Sequence, residues 1–338
     1  MQTCRRFMVP QLRQLSFSAT CFAIACVPGL ALAQSSADNY PSRPVSMIIP
    51  VSPGGGTDTE ARLYAQKLTE SMGKQFVLDY KPGAGTTLGA NFVAKAPADG
   101  HVLLMVTAGF AITPSFYKTL PYDPEKDIAP ITLLTTRPIM LVVHPDVPIR
   151  TPAEYIAFTR TYPGKLNFGT TGVGASLHLA GLWLDNVTNG KVTFVHYKGS
   201  GAMLTDLLAG RVQVATQTIP VALSQAKSGK LRIVGNAGAQ RSPALPDVPT
   251  FAEQGAAGYD YSSWLGLGTT GGTPSAIINK LRAELVKAGN APDLRKRMTE
   301  DGATLVLGTP AEFGAMIRTE IGRWRKLLRD AGIQPVEE

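Results

Sequence analysis

From Pro44 onward the chain alternates short apolar runs with amphipathic stretches, and few folds accommodate that pattern. VSMIIPV (45–51) has the β-branched content of a strand, and 58–72 has helical periodicity. FVLDY (76–80), TLGANFVAKA (87–96) and HVLLMVT (101–107) continue as strand, helix and strand. A proline-rich passage (113–130) leads to a strand at MLVVHP (140–145) and a helix at TPAEYIAFTRTY. A second series opens at LNFGTT (166–171). It runs through helix 176–187, strand VTFVHY, helix 201–209, strand RVQVAT, helix 220–228 and strand LRIVGNA. Such alternation predicts an α/β fold of parallel sheets with helices on both faces. Each series opens with a strand, a glycine loop and a helix, which predicts two lobes of similar build. The remainder holds an apolar strand, SSWLGLGTT, two long amphipathic helices near 274–288 and 309–331, and a short helix near 291–300. Gly332 should cap the last helix, whose final turns carry Arg325, Lys326 and Arg329.

Residues 1–33 stand outside this pattern. They carry Arg5, Arg6 and Arg13 without an acid, then an apolar stretch ending in Ala31-Leu32-Ala33. These are the parts of a secretory signal peptide, expected to be cleaved before Gln34 and to place the mature chain in the periplasm. All three cysteines (Cys4, Cys21, Cys26) lie in this leader, so the mature chain has neither a disulfide nor a thiolate. Losing the leader arginines leaves 30 basic against 25 acidic residues. These charges are scattered and lack the basic-aromatic interleaving that nucleic-acid binding requires.

The sequence PGGGTDTE (53–60) places three glycines before a helix. Backbone N–H groups exposed by glycine, together with the helix dipole, form a site for negative charge. Thr57 and Glu60 have the spacing of a capping box. No Lys-Ser or Lys-Thr pair follows, so this is not a nucleotide phosphate loop. GTTGVGASLH (169–178) repeats the arrangement in the second series and adds hydroxyls at Thr170, Thr171 and Ser176. In open α/β sheets ligands bind outside the carboxyl ends of the strands. Two such loops facing each other would clamp a small carboxylate, mainly through backbone. KPGAGTTLGA (81–90) reads as a turn followed by a close helix contact.

No reaction is legible in the chain. Its four histidines lack metal-ligand spacing, no nucleophile elbow occurs, and no base–nucleophile pair is evident, so neither metal nor cofactor is expected. His178, two residues beyond Ser176, is the histidine best placed beside the loop.

With these features in view, the chain resembles the solute receptors of tripartite tricarboxylate transporters, the Bug-type periplasmic binding proteins. The resemblance runs through PGGGTDTEARL, KPGAGTTLGANFVAKAPADGHVLLM, SFYKTLPYDPEKDIAPITLL, VVHPDVP, PGKLNFGTTGVGASLHLAG, HYKGSGAMLTDLLAGRVQV, QRSPALPDVPTFAEQG and GTPAEF. It implies a type II periplasmic-binding-protein fold, with two α/β lobes joined by a crossing hinge and a ligand cleft between them. Lobe 1 is expected over 41–143 and 240–338, and lobe 2 over 144–239. Gly55, Gly56, Thr57 and Asp58 of the first loop, with Thr171, Gly172, Ala175 and Ser176 of the second, would hold a ligand carboxylate. Val51 stands where the family often has an aromatic ring, Phe110 where a polar residue is common, and Gln217-Thr218 where Asp-Asn is frequent. These departures weaken the case for an acidic amino acid and favour a less polar acid. The implied partners are a dicarboxylate or aromatic acid and integral-membrane transporter subunits, with the receptor a monomer. The rival readings are a ligand sensor for a signalling partner and a hydrolase or lyase acting on organic acids.

Overall fold

The computed structural model describes residues 38–53, 56–171, 176–197, 200–330 and 332–335. The leader expected over 1–33 therefore lies outside the described residues. So do Gly55, Gly172 and Ala175 of the two glycine loops.

The described chain begins with β1 (Val45–Ile49), α1 (Gly56–Met72), β2 (Phe76–Tyr80), α2 (Thr87–Ala94), β3 (Val102–Thr107) and α3 (Ala108–Phe116). It continues through β4 (Ile128–Val143), α4 (Pro152–Thr161), β5 (Asn167–Thr170), α5 (Ser176–Thr188), β6 (Thr193–His196) and α6 (Ser200–Leu208). Next come β7 (Val214–Thr218), α7 (Ile219–Lys227), β8 (Arg232–Asn236) and β9 (Ser262–Thr270). The last elements are α8 (Ser275–Gly289), α9 (Pro292–Glu300), β10 (Thr304–Leu305) and α10 (Pro310–Asp330).

The strands run in the order β2-β1-β3-β9-β4-β7-β5-β6, with β8 and β10 also paired to β4. Each flank is parallel as expected: β1 with β2 and β3, and β5 with β6 and β7. The centre differs from expectation. β9 and β4 are antiparallel to their neighbours and to each other. β4 pairs with β9 from Ile128 to Pro138, then with β7 and β8 from Ile139 to Val143. This one strand thus belongs to both halves of the sheet, and the result is a mixed fold with two lobes.

The start of β4 and the last turn of α3 fall in the passage that sequence alone renders as a proline-rich connection (113–130), and no element was expected over 108–112 or 131–139. Proline removes a ladder donor and is confined to edges, bulges and irregular positions. Pro130 sits where the register with β9 shifts, and Pro138 pairs with Ser262 just before β4 changes partners. Both prolines therefore occupy positions where the ladder is already interrupted. Pro114 stands inside α3, two residues before the helix ends.

Aromatic side chains bind the centre together. Trp324 of α10, about 1% exposed, packs edge-on against Trp183 of α5 and Tyr261 just before β9, with ring centres 5.9 and 5.8 Å apart. Gly266 of β9 leaves room for the Phe313 ring of α10, which lies edge-on to Trp264 at 5.8 Å. α10 is stopped as the sequence predicts. Gly332 adopts φ 71°, and the Ile333 N–H donates to the Leu328 carbonyl at 2.9 Å, a Schellman-type cap. Among the described residues no helix is long and apolar enough to cross a membrane.

Candidate functional site

The carboxyl ends of β1, β3 and β5 open on one cavity of about 710 Å³. Three helices begin at its wall. Thr57 comes from the first turn of α1, Ala108 and Gly109 from the first turn of α3, and Ser176 is the first residue of α5. The first amides of each helix have no intrahelical acceptor, and three positive dipole ends therefore converge there. Thr107, at the N-cap of α3, makes no side-chain capping bond, which leaves those amides available to a ligand.

No Lys, Arg, His, Asp or Glu is among the described residues lining this cavity. Hydroxyls are plentiful: Ser52, Thr57, Thr86, Thr107, Thr113, Thr171, Ser176 and Ser263. Some are already engaged. Thr113 Oγ1 donates to the carbonyls of Gly85 and Gly109, each at 2.7 Å, and Ser176 Oγ bonds the Tyr261 hydroxyl. Such a site suits an anion whose charge is met by amides and dipoles rather than by a counter-ion.

A second cavity, about 580 Å³, lies against the opposite face of β9: Ser262 and Trp264 line it, whereas Ser263 and Leu265 face the first. It contains Asp260, Glu320, Arg241 and Arg323, and no helix of the described chain begins at it. For a carboxylate the first cavity is the better-built site.

The family model for the tripartite tricarboxylate transporter family receptor matches residues 60–333. The chain belongs to that family. Bordetella pertussis BugT is 33% identical over 299 residues, covering 88% of this chain and 92% of that protein. Among solved structures, R. palustris Rpa4515 with adipate is 34% identical with a TM-score of 0.78, covering 88% of this chain and 100% of that one. The periplasmic binding protein BugD is 31% identical with a TM-score of 0.75, over 88% of this chain and 100% of its own.

Within this family member the expected site residues separate into two groups. Val51, Thr57, Thr171 and Ser176 line the first cavity. Gly56 opens α1 beside it, and a Cβ there would meet nothing within 4 Å. The side chains of Asp58, Phe110, His178 and Gln217 lie elsewhere. Asp58 accepts from the Tyr80 hydroxyl at 2.6 Å and pairs with Arg62 at 3.0 Å, so its carboxylate braces α1 against β2. Phe110 is buried in the core and stacks on Tyr122 at 5.9 Å, because it lies off the face of α3 that borders the cavity. Gln217 is buried in β7 opposite Met140.

Glu60 also departs from its expected role. Instead of completing a capping box with Thr57, its carboxylate is fully buried, accepts from Thr135 Oγ1 at 2.9 Å and pairs with Arg137 of β4 at 2.5 Å. Burial pushes its pKa up, against the opposing pull of Arg137.

His178 is packed edge-on between Phe194 and His196, with ring centres 4.9 and 4.8 Å away. Burial, and then the neighbouring His196, lower its pKa from 6.5 to about 4. The ring is therefore neutral at ordinary pH. Between those two values an unfolded chain takes up a proton that the folded one refuses, so stability is lost as pH falls from 6.5 towards 4. His178→Asn should flatten that slope in melts recorded at successive pH values. An unchanged slope would refute the assignment.

Sequence reasoning missed two parts of the wall. One is the turn before α2, where Gly83, Ala84, Gly85 and Thr86 all have positive φ (137°, 44°, 61° and 91°). Such a backbone is a genuine outlier for a β-branched residue like Thr86. The close helix contact expected next to it is present at Gly89, where a Cβ would fall 2.9 Å from Pro50 Cβ. The other missed part is the face of α3 together with Ile333 and Gln334. A stripe at 108, 112 and 116 was the available signal, obscured by Thr113-Pro114.

Proposed function

We propose that this chain is a periplasmic receptor that captures a small organic carboxylate and delivers it to the integral-membrane subunits of a tripartite tricarboxylate-type transporter. One observation carries the reading: three helix N-termini meet at one cavity whose described lining contains no Lys, Arg, His, Asp or Glu. Such a cavity attracts a carboxylate. Family membership and the adipate in a relative's structure support the same reading. The ligand is held by backbone around Gly55, Gly56, Thr57, Thr171, Gly172, Ala175 and Ser176, with Val51 and hydroxyls beside it. Lobe 1 comprises 41–143 and 240–338, lobe 2 comprises 144–239, and the two close on the ligand by hinge motion.

The test uses exported protein, which should begin at Gln34 by intact mass. Melting with a panel of carboxylates should then reveal at least one stabilising acid. At a hundred times its dissociation constant a ligand adds about 2.7 kcal/mol. Protein retaining residues 1–33 would refute the export assignment, and a panel without any shift would refute the receptor. Turnover of any acid in the panel would favour the hydrolase or lyase instead.

A further inference from the structure

Resting on the receptor reading, we infer that the acid this cavity takes is a monocarboxylate with an apolar tail laid along α3. The inference comes from the way the cavity changes character along that helix. Ala108, Ile112 and Phe116 are spaced four apart, so they form one stripe, and all three line the cavity. The stripe covers roughly 12 Å at the helical rise of about 1.5 Å per residue. Ala108 lies at the positive end of the α3 dipole. Phe116 is the last residue of the helix, at the negative end.

A carboxylate therefore has a preferred pole. At the Ala108 end it meets the first amides of α3, and Thr57 and Ser176 line the same cavity. The nearby Thr86 adds a hydroxyl that is buried and has no hydrogen-bond partner, on a backbone held at φ 91°. A residue kept in so sparsely populated a conformation points to a local role.

A second carboxylate at the Phe116 end would be desolvated against Ile112 and Phe116 and would face the wrong end of the dipole. No described lining residue carries positive charge to compensate it. Burying an unpaired carboxylate is among the most costly events in a protein. Tyr117 can donate one neutral hydrogen bond there, which serves a hydroxyl or an ether but does not balance a full charge. Leu265 and Ile333 add further apolar surface to the wall, which suits a hydrocarbon body.

Titration calorimetry with octanoate, adipate and malate tests this directly. Octanoate should bind at least about tenfold more tightly than adipate, with malate weakest. Phe116 is half-buried, so Phe116→Arg is a tolerable change. By placing a guanidinium at the far pole it should reverse the order of octanoate and adipate. If adipate or malate matches or exceeds octanoate on the unaltered protein, the inference is overturned while the receptor reading stands. If none of the three binds, the inference is overturned as well, and the receptor reading is decided by the wider carboxylate panel. The comparison on the unaltered chain decides the matter even if the variant does not fold.

Discussion

Glu60→Ala should destabilise the protein by about 3–5 kcal/mol, the usual cost of removing one partner of a buried ion pair. The carboxylate is fully buried on α1, and its partner Arg137 has only 13% of its side chain exposed. Once Glu60 is gone, the guanidinium keeps, among the described residues, a 3.3 Å bond to Thr135 Oγ1 and a contact with the Met298 sulfur. Thr135 loses its carboxylate acceptor at the same time. The uncompensated charge, rather than the lost attraction, dominates the expected cost. Adding Arg137→Met should therefore recover much of the loss, because an apolar pair of similar size often replaces a buried ion pair without penalty. Chemical denaturation of both single variants and the double variant measures this. A single-variant loss below about 1 kcal/mol, or a double variant no better than Glu60→Ala, would contradict it. The pair also has a positional consequence. It ties α1, whose first turn borders the cavity, to β4 close to where that strand changes partners from β9 to β7 and β8.

The flanks of the fold were legible because their signals are local. Apolar runs of strand length, helical periodicity and glycine punctuation located β1 to β3, β5 to β8 and their helices. The centre was not, since proline suppresses strand and helix signals even where tertiary pairing overrides it. Pro130 and Pro138 concealed the first half of β4, and Thr113-Pro114 concealed α3. The site divides in the same way. A glycine loop before a helix is readable as an anion site from sequence, and Thr57, Thr171 and Ser176, expected there, line one cavity. Ile333 and Gln334 reach the cavity only because the cap at Gly332 redirects the chain after a helix of 21 residues. No pattern near residue 333 encodes that arrival. Glu60 shows the opposite failure. Its spacing from Thr57 fits a capping box, yet a half-buried arginine on a strand 77 residues away took the carboxylate. Phe110 was expected to make the pocket apolar; Ile112 and Phe116, on the neighbouring face of the same helix, do so instead.

Gly56→Pro should weaken carboxylate binding by roughly ten- to hundredfold, the range expected when a hydrogen bond of about 1.5–3 kcal/mol to a charged group is lost. Gly56 is the first residue of α1, where proline fits helical geometry and removes one N–H that the helix does not itself use. Added bulk is not the cause of the loss, because a Cβ at this position has open space around it. Gly56→Ala is the control: it keeps the amide and should bind almost as the unaltered chain does. Arg62 provides the contrast. It is the cation nearest to the loop in sequence, but it lies outside the described cavity lining and is held by Asp58 and by the Tyr80 hydroxyl at 2.6 Å. Arg62→Gln should thus change affinity far less than Gly56→Pro does. Calorimetry on the three variants, with an acid that stabilises the unaltered protein, separates the models. A clamp made of backbone amides fails if Gly56→Pro binds normally while Arg62→Gln does not, since the charge on the ligand would then be met by the guanidinium.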